Sequence, residues 1–290
     1  MSDSSRGELR ILPSGAYVIK SVYTRGRSLA WLARTRGRMS GRGLRMLFYH
    51  RVIPGGDPLG VTPERFRRQM EYLAERDWRV VDVAAAGELM RGRDPLDRVV
   101  SLSFDDGYLD VVEHAMPVLA ELGFGASVFV VTGALDGGVA FDWYENGPPL
   151  IGWEDVVRLD RDSPLRFEAH SVSHPNLLTL GDEQAREEIM SSKAALEARL
   201  DRPVEAFSYP AGLFGARERR MVEEAGYRVA VSCEPGLNDS ETDRFALRRN
   251  QIDHHDALLD FRAKLGGGHD AGPPLRALHR RLRYGAARNP

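Results

Sequence analysis

The stretch Ser101–Tyr108, reading SLSFDDGY, places two adjacent carboxylates directly after an apolar strand. Its first four residues read as the end of that strand, and Asp105 and Asp106 follow. Gly107 then allows the chain to turn sharply. Two acids at the end of a buried strand are costly unless a positive group neutralises them, and a bound metal ion would do so. This stretch therefore predicts that something pairs with the two carboxylates, and a metal ion is the candidate.

Strand and helix patterns alternate about seven times between residues 44 and 265. Such alternation is typical of a parallel sheet with helices packed outside it, either open or closed into a barrel. The polar clusters all follow predicted strands: they are His50, the aspartate pair, His170 with His174, and Tyr209–Gly212. In α/β barrels the active site is built at that end of the strands. We therefore expect these clusters to lie together.

Charge is unevenly distributed along the 290 residues, although the formal net charge is only −2. Residues 1–45 carry ten Lys and Arg against two Asp and Glu, and residues 262–290 carry seven against one. The remaining residues, 46–261, carry 23 basic and 39 acidic side chains. An acidic body thus lies between two basic ends, which are typical of solvated tails or of contacts with anionic surfaces.

Several classes of protein are not expected from this composition. No run of about 18 apolar residues occurs, so the sequence predicts no transmembrane helix. The start, MSDSSRGELR, lacks the basic and then apolar pattern of a secretory signal. The single cysteine, Cys233, excludes an internal disulfide framework and is interpreted as a small buried residue. We expect a cytoplasmic protein, with the inner face of the membrane as a refinement, and no nucleic-acid partner.

The basic N-terminal segment contains two short apolar patches, at residues 17–23 and 29–33. Arg34, Arg36 and Arg38 follow the second patch. The pattern suits a helix that lies on a membrane surface, and it suits equally a helix that packs on the body of the protein. Both interpretations stay open from the sequence, and Trp31 is accordingly either membrane-facing or buried.

His170 and His174 are four residues apart, a spacing that often holds a metal ion on one face of a helical turn. Pro175 disfavours a helix through His174, so a tight turn is expected instead. Two histidines and one carboxylate suit catalytic zinc, and they also suit non-haem Fe(II). Of two adjacent aspartates, one can ligate the ion while the other points elsewhere and takes a proton from metal-bound water.

Three motifs in order resemble the polysaccharide deacetylases, the NodB-homology group of carbohydrate esterases. They are FDDG at residues 104–107, HSVSHP at residues 170–175 and FSYPAG at residues 207–212. YHRV at residues 49–52 and EAGY at residues 224–227 are also similar to this family. The resemblance implies a distorted (β/α)7-type barrel of parallel strands. It places one catalytic domain at residues 44–265, between a basic extension at 1–43 and a basic tail at 266–290.

The resemblance also implies a role for each site residue. Carried over by position, Asp105 is the catalytic base, and Asp106, His170 and His174 hold a divalent metal, zinc before other ions. The backbone N–H of Ala211 would bind the oxyanion, with Tyr209 beside it as a substrate contact. The activity implied is metal-dependent hydrolysis of an N-acetyl group from an amino sugar, in a polysaccharide, an oligosaccharide or a glycoconjugate intermediate.

The chain departs from the family pattern at the start of the third motif. An arginine that orients the base usually stands there, and this sequence has Ser208. Arg248 and Arg249, further along, are alternative orienting groups. The residue after Pro210 is usually aromatic and is alanine here, which predicts a smaller pocket wall.

The late motif that supplies a general acid is absent in its usual form. The candidates that remain are two histidines after the last predicted strand, His254 and His255, with a polar loop as their alternative role. His50 either lines the pocket or binds loop backbone. Trp143 and Tyr144 either stack on a sugar ring or pack their own loop.

Other functions share parts of this sequence pattern. One is amide hydrolysis on a non-sugar substrate, and another is a non-catalytic carbohydrate-binding barrel. The second is disfavoured because a binding protein needs no base beside its ligands. A non-haem iron oxygenase usually places its histidine and carboxylate two residues apart on a jelly roll, which the strand–helix alternation does not fit.

Overall fold

The computed structural model describes residues 14–38, 43–92, 96–141, 143–144 and 146–270, with side chains from residue 19 onward. Parts of the predicted 1–43 extension and nearly all of the 266–290 tail lie outside the described residues. The division into three segments therefore stays a prediction. Within the described part of the chain, no helix is long and apolar enough to cross a bilayer.

Parallel strands form one curled sheet, with a two-stranded sheet beside it. The strands are β1 Arg45–Tyr49, β2 Arg51–Val52, β3 Gly60–Val61, β4 Arg79–Val81, β5 Val99–Phe104, β6 Ala126–Val130, β7 Leu165–Ala169, β8 Ala206–Ser208, β9 Val229–Val231 and β10 Asn250–Gln251. The main sheet has the order β10-β1-β5-β6-β7-β8-β9, with β4 also paired to β5, and β2 pairs with β3.

Helices connect the strands and cover the outside of the sheet. They are α1 Ser14–Thr35, α2 Pro63–Ala74, α3 Val83–Arg91, α4 Met116–Leu122, α5 Trp153–Asp162, α6 Asp182–Leu200, α7 Ala216–Glu224 and α8 Leu258–Leu265. Thr62 caps α2, because its side chain accepts a hydrogen bond from the Arg65 N–H. The order of elements confirms the predicted α/β class with a curled, barrel-like sheet of parallel strands.

One segment of chain touches both edges of the curled sheet. Leu247 bridges Val231 on β9, and three residues later Asn250 pairs with Leu47 on β1. This segment therefore forms only a two-residue strand, Asn250–Gln251. Its residues divide their backbone bonds between two edges, so they cannot form one continuous ladder.

The helix that follows Gly107 does not begin directly after it. A π-helical turn, Val111–Ala115, comes first, and α4 begins only at Met116. Pro117 lies in the first turn of α4, where its missing N–H is tolerated, but it cannot continue an existing ladder of i to i−4 bonds. Gly123 ends α4 with a φ of 66°.

Helix α1 packs along α8 and the residues that follow it. Trp31 is buried, and its indole N–H donates to the Gly266 carbonyl at 3.2 Å. Arg25 pairs with Asp260 on α8 at 2.8 Å, and Lys20 pairs with Asp253. The N-terminal helix is therefore attached to the body, as one of the two interpretations of this segment required.

Gly87 allows α3 to approach β9 closely, and we expect Gly87→Ala to destabilise the protein. A β-carbon at Gly87 would lie 2.3 Å from a methyl carbon of Val229. Overpacking of this kind costs about 1–3 kcal/mol, more than the gain in helix propensity of about 1 kcal/mol. Urea unfolding would measure the loss. Gly26→Ala is the matched control, because nothing lies within 4 Å of its added carbon, and a comparable loss there would contradict the packing argument.

Candidate metal centre and active site

Asp106, His170 and His174 converge at the carboxyl ends of β5 and β7. One ligand atom from each lies within 4.8 Å of the others. Oδ1 of Asp106 is 3.5 Å from Nε2 of His170 and 3.7 Å from Nε2 of His174. The structure thus brings together the three residues that the sequence proposed as metal ligands, although their role stays a prediction.

The chemistry of this cluster fits a divalent cation. Oδ1 of Asp106 is buried and has no hydrogen-bond partner among the described residues. Burial, with the neighbouring charge of Asp105, raises the pKa of Asp106 well above its usual range. Burial also lowers the pKa of His170 and of His174. A cation would favour an ionised carboxylate and neutral imidazoles, which are the forms that ligate metals.

Backbone contacts orient the two imidazoles. Nδ1 of His170 lies 2.7 Å from the carbonyl oxygen of Ser208, so it carries the proton and leaves Nε2 to face Asp106. The N–H of His174 donates to Oγ of Ser171 at 2.9 Å, which closes the tight turn predicted from Pro175. The His170 ring is therefore presented by its unprotonated nitrogen, and the turn brings the His174 ring to the same cluster.

A carboxylate from α6 holds the turn between the two histidines. Oε2 of Glu188 accepts hydrogen bonds from the N–H groups of Val172 and Ser173, each at 2.9 Å. Its Oε1 accepts from the Ser173 hydroxyl at 2.6 Å. Sequence analysis missed this residue. Its only local signal is an acid beside the apolar stripe of α6, which is common on helices.

Left-handed backbone is concentrated at the site. Among the non-glycine residues with positive φ are Asp106 at 74°, Ser171 at 65°, His174 at 56° and Ala211 at 54°. Such conformations cost L-residues about 1–2 kcal/mol each and persist only when the surrounding structure enforces them. Four such residues at one end of the sheet indicate that the surrounding structure holds their side chains in place although the local backbone is strained.

Arg249 supplies the guanidinium that orients Asp105, in place of the arginine that usually stands at the position of Ser208. Its Nη1 and Nη2 donate to the two oxygens of Asp105 at 2.7 and 2.8 Å. Nη2 also donates to the Ser208 hydroxyl at 2.9 Å. The guanidinium thus reaches Asp105 from the β9–β10 edge, and the small Ser208 side chain leaves space for it. Of the two arginines considered, Arg249 occupies this position, whereas Arg248 is exposed.

This pairing keeps Asp105 ionised. Burial alone would raise its pKa, but the charge of Arg249, followed by that of His170, outweighs burial and lowers the pKa below its usual value. The two adjacent aspartates therefore differ in environment. Asp105 is a hydrogen-bonded anion, and Asp106 faces the two imidazoles.

The third motif forms a short 3₁₀ turn, Pro210–Gly212. Ala211 is half-buried in it, and Gly212 has a φ of 68° and packs against Cys233, so an added β-carbon would lie 2.6 Å from the Cys233 backbone nitrogen. The Tyr209 side chain is fully buried, and its hydroxyl donates to the Phe245 carbonyl at 3.0 Å. This placement gives Tyr209 a packing role behind the turn, and its substrate contact stays a prediction.

An aromatic pair lies beside the metal-ligand cluster. The Trp143 ring is half-buried, 5.0 Å from the ring of His174, and stacks on Phe141 at 4.3 Å. Its indole N–H donates to the Tyr108 hydroxyl at 3.0 Å. Tyr144 is buried instead, where its hydroxyl donates to Asp57. Of the two loop aromatics, Trp143 is therefore the one placed near the cluster.

Three more of the chain's histidines, His50, His254 and His255, follow strands at the same end of the sheet. Burial lowers the pKa of His50 to about 4, while the charge of Asp105 opposes this shift. Nδ1 of His254 lies 3.0 Å from the Pro58 carbonyl, and its ring is 3.6 Å from that of His255. Burial, followed by the charge of His254, lowers the pKa of His255 to about 4. Their role as general acid stays a prediction.

A curled α/β barrel with two histidines and a carboxylate at its strand ends defines a class of hydrolases, and comparison with known proteins shows which family the chain resembles. Residues 92–230 match the family model described as "Polysaccharide deacetylase". Over these residues the chain is similar to a family whose members are carbohydrate N-deacetylases that hydrolyse amide bonds and are metalloenzymes. The resemblance inferred from the three motifs is confirmed.

Individual relatives agree with this assignment. YxkH of Bacillus subtilis strain 168, provisionally named a polysaccharide deacetylase, is 25% identical over 210 residues, which is 72% of this chain and 71% of YxkH. The structure of IcaB from Ammonifex degensii has a TM-score of 0.68 at 22% identity, covering 81% of this chain and all of IcaB (100%). The Streptococcus pyogenes deacetylase PplD has a TM-score of 0.67 at 20% identity, covering 75% and 96%. These two structures show the fold.

We expect Glu188→Ala to weaken metal binding about 10- to 100-fold, because the histidine turn loses all three hydrogen bonds that Glu188 accepts. Glu188→Gln retains one acceptor oxygen and should recover part of the affinity. Titration of the metal-free protein with Zn²⁺ measures both. Glu187→Ala is the control, since Glu187 is an exposed neighbour on the same helix. Equal affinity in the Glu187 and Glu188 variants would show that the turn does not need this carboxylate.

We expect Arg249→Lys to lower kcat about 10²-fold, because a single ammonium cannot hold both oxygens of Asp105 in place. Loss of one hydrogen bond to the anion raises the pKa of Asp105. A protonated Asp105 accepts no proton, so the acidic limb of the pH–rate profile should move to higher pH. Arg248→Lys, an exposed neighbour, should leave the profile unchanged. An unshifted acidic limb in the Arg249 variant would rule out the orienting role.

Proposed function

We propose that the protein removes an N-acetyl group from an amino sugar by metal-assisted hydrolysis. The observation that carries this proposal is the cluster of Asp106, His170 and His174. Beside it lies the ionised Asp105, whose two carboxylate oxygens accept hydrogen bonds from Arg249. This arrangement supports a separation of roles, with three ligands for an ion and one base. The bound acetate in the PplD structure is the small product that deacetylation releases.

A divalent cation bound by Asp106, His170 and His174, zinc before other ions, would supply Lewis acidity and an activated water. Asp105 would accept the proton from that water as its oxygen adds to the acetyl carbonyl. The backbone N–H of Ala211 would then stabilise the oxyanion. When the carbon–nitrogen bond breaks, the sugar nitrogen takes up a proton and leaves as a free amine, and acetate is released.

Trp143 supports an amino sugar as the substrate rather than an arbitrary amide. Its half-buried ring, 5.0 Å from the ring of His174, is positioned for the apolar face of a pyranose. The sugar would belong to a polysaccharide, an oligosaccharide or a glycoconjugate intermediate. We also propose a cytoplasmic location at the inner face of the membrane, and the support for it is the basic N-terminal segment.

Paired variants separate metal binding from proton transfer. Asp105→Asn should abolish acetate release from N-acetylglucosamine compounds, with a loss of at least about 10²-fold, while the metal content stays unchanged. His174→Ala should lose the metal itself, because one of three ligands is gone. Metal analysis of both purified variants, with acetate release from a panel of N-acetylated sugars, measures the two effects.

The same panel tests the alternatives. Acetate release from a non-sugar amide, but from no sugar in the panel, would favour the second hydrolase function. Full metal occupancy in the wild type with no hydrolysis of any compound would favour a carbohydrate-binding barrel. Bound metal unchanged in His174→Ala would show that the proposed ligand set is wrong.

A further inference from the structure

Helix α1 has one face that is attached to the body by polar contacts. Its buried residues are Thr24, Ser28 and Trp31. Oγ of Ser28 lies 3.1 Å from Nε2 of His269, and Arg27 donates to the Gly268 carbonyl. These contacts, with the ion pairs to Asp253 and Asp260, determine which face of the helix points outward.

The opposite face of α1 is apolar and exposed. At 100° per residue, one arc of the helix contains Ile19, Val22, Tyr23, Gly26, Leu29, Ala30 and Ala33. Ile19 and Val22 are each 68% exposed, and Leu29 is 52% exposed. Among the described residues, α1 contributes five of the eight exposed large apolar side chains, the fifth and smallest exposure being that of Leu32. We call this arc the outer face of α1.

The charged side chains of the helix itself are all basic, although Lys20 and Arg25 pair with Asp253 and Asp260 of the body. Residues 14–38 contain six Lys and Arg and no Asp or Glu. Arg34 is exposed and lies beside the apolar arc, and Arg36, also exposed, directly follows the end of the helix. An apolar stripe bordered by arginines is the pattern of a helix that lies in the plane of a membrane interface, where the arginines meet anionic headgroups.

The same charge disfavours a second copy of the chain as the occupant of this face. A symmetric dimer through the outer face would bring the arginine borders of two identical helices together. Like charges at an interface oppose association, whereas anionic lipids neutralise them. The charge pattern therefore selects a lipid surface over self-association.

The helix also connects the outer face to the active-site end of the sheet. Lys20 pairs with Asp253, which follows β10 next to the strand that leads to His50. The positive charge of Lys20 contributes, after burial and nearer charges, to the lowered pKa of His50. The N-terminal end of α1 thus lies near the active-site end of the sheet, whereas its C-terminal half contacts residues 266–269, next to the start of β1.

We propose that the outer face of α1 docks the protein on the surface of a membrane that contains anionic lipids, with the helix in the plane of the interface. The docking is reversible, because the contact consists of a few side chains and a border of arginines. It does not depend on the reaction that the barrel catalyses.

Vesicle binding of the full-length protein tests this proposal. The probe is vesicles of phosphatidylcholine and phosphatidylglycerol in equal parts, compared with vesicles of phosphatidylcholine alone, in a flotation assay. We expect the wild type to bind the anionic vesicles, and added salt to weaken that binding. Val22→Glu and Leu29→Glu should each reduce the affinity at least about tenfold, because a carboxylate would enter the apolar contact.

Matched variants separate lipid docking from general effects. Met190→Glu changes a side chain that is 54% exposed on α6, far from α1 in the chain, and should bind vesicles like the wild type. Arg34→Glu combined with Arg36→Glu should abolish the preference for anionic vesicles. Thermal unfolding, and acetate release from a soluble substrate, should be unchanged in all these variants.

Three outcomes would overturn the proposal. The wild type could fail to float with anionic vesicles, or Val22→Glu could bind them as tightly as the wild type does. Alternatively, sedimentation could show a wild-type dimer that Val22→Glu dissociates, in which case a second copy of the chain covers the outer face.

Discussion

The buried contact between Arg249 and Asp105 is the constraint on which the rest of the structure depends. All five N–H groups of the guanidinium are used: they donate to both oxygens of Asp105, to the hydroxyls of Ser103 and Ser208, and to the Ser232 carbonyl. These partners lie on or directly after β5, β8 and β9. A single side chain thus connects strands from distant parts of the curled sheet and neutralises the carboxylate that sequence analysis found costly.

A buried ion pair offsets the loss of hydration only if its donors and acceptors are satisfied. Removing one partner then costs about 3–5 kcal/mol, because the other charge is left buried and unpaired. The rings of Phe48 and Phe129 lie 4.4 and 5.5 Å from the guanidinium carbon and exclude water from it. The segment that carries Arg249 is also the one that touches both edges of the sheet. The same short segment therefore connects the two edges of the sheet and carries the arginine that keeps Asp105 ionised.

The metal-ligand cluster differs from this ion pair, because one of its hydrogen-bond acceptors, an oxygen of Asp106, is left unsatisfied by the described residues. Asp106 has a left-handed backbone and a buried oxygen without a partner among the described residues, and both cost free energy in the folded protein. The adjacent Asp105 has no such deficit. Two neighbouring carboxylates thus acquire different chemistry from their surroundings, one as a stabilised anion and the other as an open ligand site.

The sequence alone determined the alternation of strands and helices, the α/β class and the three motifs that meet at one sheet end, because periodicity and turn residues act over short distances. It also identified Asp106, His170 and His174 as a set. Only the tertiary structure decided that Arg249 rather than Arg248 grips Asp105, that Glu188 holds the histidine turn, and which face of α1 is exposed. These contacts join residues from 15 to more than 200 positions apart, and their partners are selected by the curvature of the sheet, which no local pattern in the chain encodes. SLSFDDGY predicted that something pairs with its two acids. The fold supplies Arg249 for the first aspartate and a place for a cation at the second.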